Sequence, residues 1–321
     1  MDKPPFQELA EKIQQHFVNQ TYTEGLSLAS EKLPDYPEEY AAINYWRICL
    51  AARLDNFDLA NKIFESTLAS GIWYSDVLLR KSPSLESIQG QEDFERLARI
   101  SEQLREADGG DLPLLVSRPK DACKPGDAGC PTLLFLHGNM DTAQNNLQHW
   151  AHLSAKGWLV VTPQSSQAMW TGSYMWADVP STQKEIEQHY ANLTSQYSLD
   201  TDKLVLGGFS MGGEMALSLV LKEDFPAKGF ILLGPGGPLM NDVREWQPLI
   251  DRSRTNPLRG VIWMGESDNT IPRENVRKLS EMLHASGIPT LLETFPNLGH
   301  DYPPSFEQVV DRAIQFLFPE G

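Results

Sequence analysis

Lys203-Leu-Val-Leu-Gly-Gly-Phe-Ser-Met-Gly-Gly-Glu-Met-Ala-Leu-Ser-Leu219 is the stretch whose reading settles the fold. A short apolar run ends in a glycine-rich turn and passes straight into a helical pattern, which places Ser210 at the apex of a strand–turn–helix junction. So sharp a turn requires small residues two before and two after the serine, and Gly208 and Gly212 occupy those positions. The hydroxyl is lifted clear of the backbone at a helix N-terminus, where developing negative charge is favoured. Ser210 is therefore the candidate nucleophile.

On either side of this junction the chain keeps alternating. Short apolar runs predict strands at Leu114–Val116, Thr132–Leu136, Trp158–Thr162, Lys203–Gly207, Gly229–Leu233, Gly260–Met264 and Thr290–Phe295. Helical patterns fall between them at Gln144–Ala155, Thr182–Tyr197, Gly213–Leu221, Pro272–Ala285 and Pro304–Phe318. Strands apolar on both faces, separated by helices, predict a mostly parallel sheet covered on both sides, an α/β class. Strand carboxyl ends then gather at one edge, where a site should form.

A serine needs a base, and the base needs an orienting acid. His300, in Asn297-Leu-Gly-His-Asp-Tyr302 after the last strand, is the candidate base. Asp268, in Met264-Gly-Glu-Ser-Asp-Asn-Thr-Ile-Pro272, is the candidate acid; Glu266 stands too near the strand end and Asp301 adjoins the base. In Leu136-His-Gly-Asn-Met140, Gly138 lets the chain bend so that the Asn139 N–H faces the site. With the Met211 N–H it would form a two-donor oxyanion hole. His137 is expected to be structural, its ring tied to nearby backbone. Trp170, Tyr174 and Trp176 lie in an aromatic-rich segment leaving a strand end and are candidates for a substrate pocket. Gly234-Pro-Gly-Gly-Pro238 and the residues up to Gly260 leave room for one short helix, so the site is expected to be shallow and open.

These motifs carry a resemblance. His137-Gly138, Gly208-Phe-Ser-Met-Gly-Gly213, Gly265-x-x-Asp268-x-x-x-Pro272 and Gly299-His300 make residues 111–321 similar to the α/β-hydrolase superfamily. The nearest group is the serine esterases of phospholipase/carboxylesterase or dienelactone-hydrolase-like type. The resemblance implies the α/β-hydrolase fold and a serine carboxylesterase with a Ser-His-Asp triad, acting on a small or medium ester without a cofactor. Two features depart from the group: Met211 stands where acyl-protein thioesterases usually carry glutamine, and the simple members lack a helical N-terminal domain. A serine peptidase of prolyl-oligopeptidase-like type is the second enzymatic reading. A peptide-binding scaffold with a vestigial hydrolase domain is the third.

Residues 1–108 carry helical periodicity throughout, at Phe6–Phe17, Tyr22–Leu33, Ala41–Leu54, Phe57–Leu68 and Phe94–Leu104. Tyr22 and Phe57 align at a 35-residue offset, each followed three positions later by a small residue, Gly25 or Ala60. This resembles the tetratricopeptide repeat, whose period is about 34 residues. Asp108-Gly-Gly-Asp-Leu-Pro113 is the expected joint between this TPR-like all-α domain of helical hairpins and the catalytic domain at 111–321. So few hairpins leave an apolar face uncovered, which is expected to dock on the hydrolase domain or on a second copy of itself.

Composition limits the partners. Of the net charge of −16, −8 falls in residues 1–110 and −8 in the remainder. Neither half suits nucleic acid, which needs clustered cations. No apolar run approaches the roughly 20 residues of a membrane span, and Met1-Asp-Lys-Pro-Pro-Phe-Gln-Glu8 shows no leader pattern. His149 and His152, three apart on a predicted helix, are expected to face solvent rather than a metal. Gly234–Gly237 lacks the spacing of a dinucleotide fingerprint. Cys123 and Cys130 could close a loop if oxidised, but three cysteines do not suggest an oxidising compartment, so the expectation is free thiols and a cytoplasmic location.

Overall fold

The computed structural model describes residues 6–108, 114–253 and 257–319. Contacts divide the chain into two compact units: Met1–Asp111 with Ala168–Gly172, and Leu112–Gln167 with Ser173–Gly321. Beyond Asp108, the expected joint through Pro113 lies outside the described residues.

The first unit is built from α1 (Phe6–Val18), α2 (Tyr22–Lys32), α3 (Tyr40–Arg53), α4 (Phe57–Ala69), α5 (Asp76–Lys81) and α6 (Glu92–Asp108). Successive helices from α1 to α4 pack in pairs, and α6 packs on α4 and α5. Helical spacing buries one stripe of α4, holding Ala60, Ile63, Phe64, Thr67 and Leu68, whereas the central α3 is buried on several sides. Asn56 caps α4 by accepting from Leu59 N at 3.2 Å, a contact typically worth about 1 kcal/mol. Gly25 sits where helices cross: a Cβ there would lie 2.9 Å from the His16 Cβ. At six residues, α5 is too short for periodicity to reveal. Ala168–Gly172 completes this unit. Ser75 N donates to Met169 O at 2.7 Å and Thr171 N to Trp73 O at 3.3 Å, while Trp170 joins the core formed by Phe64, Tyr74 and Phe94.

The second unit holds a seven-stranded sheet ordered β1-β3-β2-β6-β7-β8-β9. Its strands are β1 (Leu114–Ser117), β2 (Cys130–Leu136), β3 (Leu159–Pro163), β6 (Leu199–Phe209), β7 (Gly229–Leu233), β8 (Arg259–Gly265) and β9 (Thr290–Phe295). Every pairing is parallel except that of β1 with β3. Outside that sheet the chain also forms two short strands, β4 (Gln167–Trp170) and β5 (Ser173–Met175), which the expected elements omit. The helices are α7 (Ala143–Trp150), α8 (Val179–Gln196), α9 (Met211–Leu221), α10 (Pro238–Asn241), α11 (Gln247–Arg252), α12 (Arg273–Ala285) and α13 (Phe306–Leu317). Alternation along the strands serves two cores. Leu134, Leu136, Ile262 and Met264 enter one; Leu133, Phe135, Val261 and Trp263 enter the other.

Two expectations need correction. The segment between β7 and β8 carries two short helices, α10 and α11, rather than one. Cys123 and Cys130 are bonded, not free. The intervening chain folds back on itself, with Asp127 N donating to Lys124 O at 2.9 Å and Asp127 Oδ2 accepting from Lys124 N at 2.9 Å. That turn brings the two Cα atoms to 5.4 Å, within bonding reach. Cys49 is free and buried.

Candidate active site

Ser210 stands between the last residue of β6 and the first of α9 with φ 53° and ψ −122°, a conformation a side chain adopts only under constraint. The constraints are visible. A Cβ on Gly208 would lie 2.2 Å from the Gly212 carbonyl carbon, and one on Gly212 would lie 2.3 Å from His137 O. Ser210 N donates to Leu233 O at 2.9 Å, and Gly236 N donates to Ser210 O at 3.0 Å. The elbow is therefore held by neighbours on both β2 and β7.

Leu233 is followed by Gly234, and there the base comes into range. A Cβ on Gly234 would lie 3.0 Å from both Cε1 and Nδ1 of His300. The His300 ring also stacks on Phe209, the residue before the serine, at 4.7 Å and 29°. His300 Nδ1 bonds Asp268 Oδ2 at 2.7 Å, with the two side chains 12% and 1% exposed. Asp268 Oδ1 accepts from Thr270 N at 2.8 Å and Ile271 N at 3.0 Å. Burial pushes this carboxyl upward, but the bond and charge of His300 and the two amides outweigh it and hold Asp268 below the usual range. Neither Glu266 nor Asp301 takes that place: Glu266 bonds Thr294 Oγ1, and Asp301 accepts from Tyr302 N. Among the described residues, His300 Nε2 is buried without a hydrogen-bond partner, so a bond to the Ser210 hydroxyl is not closed here.

The oxyanion loop is fixed by His137. Its Nε2 faces Gln164 Nε2 at 3.0 Å and Ser165 N at 3.3 Å, both donors, which leaves the proton on Nδ1 to reach Gly138 O at 2.8 Å. Burial pushes this ring down to about 4, so it stays neutral and acts as a tie. Gly138 must lack a side chain, since a Cβ would meet the Phe209 ring at 2.8 Å. Met140 N is engaged by Tyr174 O at 2.9 Å. Among the described residues, neither Asn139 N nor Met211 N donates to a protein acceptor.

The three aromatic pocket candidates part company. Trp176 lines a cavity of about 610 Å³ together with Val179, Met211, Met215, Leu239 and Leu249. Tyr174 instead supports the oxyanion loop, its ring edge-on to His137 at 6.5 Å. Trp170 is the correction: it packs against Tyr74 at 6.3 Å and Tyr45 at 6.1 Å inside the helical unit and is 7% exposed. This cavity runs alongside α9 past Met211, Met215 and Ser218 to Lys222, the residue that follows the helix.

Sequence reading passed over Glu214. This buried carboxylate accepts from Met240 N at 2.9 Å and tethers α10 to the nucleophile helix. Burial pushes its pKa up, against the amides of Leu239 and Met240. The one signal was an acid in the first turn of an otherwise apolar helix.

Residues 95–231 match the Chlorophyllase family. That segment contains Asn139, Ser210 and Met211 and stops before Asp268 and His300. The chain is 24% identical over 215 residues to acyl-protein thioesterase 1 of Gibberella zeae, covering 59% of this chain and 91% of the relative. It is 22% identical over 213 residues to lysophospholipase-like protein 1 of Mus musculus, covering 59% and 88%. An uncharacterized protein of Bacillus cereus superposes with a TM-score of 0.55 at 20% identity, over 97% of this chain and 98% of that one. Esterase PE8 gives 0.51 at 16%, over 65% and 99%.

Proposed function

We propose that this chain, an α/β-hydrolase by fold and similar to esterases and thioesterases, is a serine hydrolase cleaving carboxylic esters of small or medium size. The observation that carries this reading is the His300–Asp268 pair at 2.7 Å beside a serine at φ 53°. Ser210 Oγ attacks the acyl carbon and His300 Nε2 takes its proton. The oxyanion accepts from the Asn139 and Met211 amides, each donor being worth roughly 3 kcal/mol to the transition state. Asp268 remains ionised, fixes the tautomer and stabilises the imidazolium. His300 returns the proton to the leaving alcohol, and water releases the acyl group by the same steps reversed.

The cavity along α9 is the proposed acyl pocket. The carboxylate of Glu214 does not spoil it, because the α10 amides engage it. The helical unit is proposed, on its sequence, to dock on the hydrolase unit or on a second copy; sedimentation of the full chain at several concentrations separates the two. The Cys123–Cys130 bond removes the ground on which a cytoplasmic location was expected.

Kinetics of Ser210→Ala on alkyl esters, a thioester and amino-acid amides test the reading. Loss on the order of 10⁶ in kcat on the ester is expected, since serine and base act as a unit. Undiminished ester hydrolysis would refute it, and wild-type preference for amides would favour the peptidase.

A further inference from the structure

The loop carrying His300 is pinned on both sides of the base, and the two pins differ in kind. Before His300 the pin is backbone: Ser267 N donates to Leu298 O at 2.9 Å. Gly265 also presses so close that a Cβ there would lie 2.2 Å from Gly299 O. After His300 the pin is a side chain. The Tyr302 hydroxyl donates to Asn146 Oδ1 at 2.8 Å, and Asn146 Nδ2 donates to Phe135 O at 3.2 Å.

Asn146 is fully buried on α7, and Phe135 lies on β2 two residues before His137. A single chain of hydrogen bonds thus runs from the base loop, through α7, to the strand that feeds the oxyanion loop. Burial pushes the Tyr302 hydroxyl up, which keeps its proton on the phenol as donor. The ring is fixed as firmly as the hydroxyl. His149 lies flat on it at 3.7 Å and 5°, and Phe306 meets it edge-on at 5.1 Å. Phe209 contacts both Tyr302, at 5.5 Å, and the His300 ring, at 4.7 Å. Moving Tyr302 would therefore shift both the loop and the ring against which His300 stacks.

We propose that Tyr302, acting through Asn146, is a positioning residue for the base, setting His300 against the oxyanion loop during proton transfer. The proposal rests on reading Ser210 and His300 as nucleophile and base. Proton delivery to the leaving group is where placement should tell. An ethoxide must receive the His300 proton as the carbon–oxygen bond breaks, whereas p-nitrophenolate leaves without it. Misplacing the base therefore harms the two esters unequally, while a smaller folded fraction harms them alike.

The test measures kcat/KM of the full chain on ethyl butyrate and p-nitrophenyl butyrate for the wild type and Tyr302→Phe. The ethyl-to-nitrophenyl ratio is expected to fall about tenfold, the scale of a sub-ångström misplacement. Asn146→Ala, which removes the acceptor, should lower the same ratio and carries the test should Tyr302→Phe not fold. A ratio unmoved in the folded variants overturns the proposal while leaving the functional reading intact, provided Ser210→Ala is inactive. If Ser210→Ala still hydrolyses both esters, the reading falls and the proposal with it.

Discussion

The elbow around Ser210 and the wall of the cavity beside it share a helix, yet they are specified in opposite ways. The elbow is dictated by contacts that admit no side chain: Gly208 against Gly212, Gly212 against His137 O, Gly138 against Phe209. Such positions leave a local mark in the sequence, because only glycine satisfies them. The wall is assembled from Trp176, Met211, Leu239 and Leu249, on separate segments that meet only in the folded unit. Its apolar residues satisfy packing with many alternatives, so they leave no pattern. The reactive turn is consequently written locally, and the cavity wall is distributed over the fold.

That contrast can be broken or sharpened by substitution. Asp268→Asn should lower kcat by about 10⁴ with the fold intact, by favouring the wrong tautomer of His300. A loss that size from Glu266→Gln instead would reassign the acid. Gly208→Ala should destabilise the chain by about 3 kcal/mol in urea unfolding, because its Cβ would overlap backbone rather than a movable side chain; a near-neutral result would show the elbow is not so rigidly specified. Leu249→Trp, at a half-buried wall position, should lower the decanoate-to-acetate ratio of kcat/KM about tenfold. An unchanged ratio would remove the cavity from acyl binding.

The smallest effect concerns pH. The folded-state pKa of Glu214 is raised above the ordinary 4.5, so the folded chain holds that proton longer than the unfolded one. Its contribution is present below pH 4.5 and is lost as pH rises through the folded value. Glu214→Gln should flatten that fall in Tm. Asp268, held down, acts in the opposite sense: its contribution is present above 3.8 and is lost as pH falls through its folded value.

The seven sheet strands were legible from apolar runs bounded by turn residues, and the sheet contains all of them, although β6 begins earlier, at Leu199, with a polar segment that no apolar run marks. Ser210 was marked by its glycines, and His300 and Asp268 by their places after the last two strands. What escaped was set by distant partners. Trp170 looked like pocket lining from its neighbours, but its tip segment is taken up by Trp73, Tyr74 and Ser75, almost a hundred residues earlier. Glu214 was passed over because its partner, the Met240 amide of α10, lies 26 residues further along the chain. The bond between Cys123 and Cys130 depended on a turn closed by Asp127, which cysteine counting does not weigh.

On the proposed mechanism one serine, at the elbow, carries the acyl group. Peptide mass spectrometry after reaction of the full chain with a fluorophosphonate tests it most directly. One adduct per chain is expected, on Ser210, formed in step with loss of esterase activity and absent from Ser210→Ala. An adduct on a different serine that tracks the loss of activity, or full labelling of Ser210 with activity retained, would contradict it.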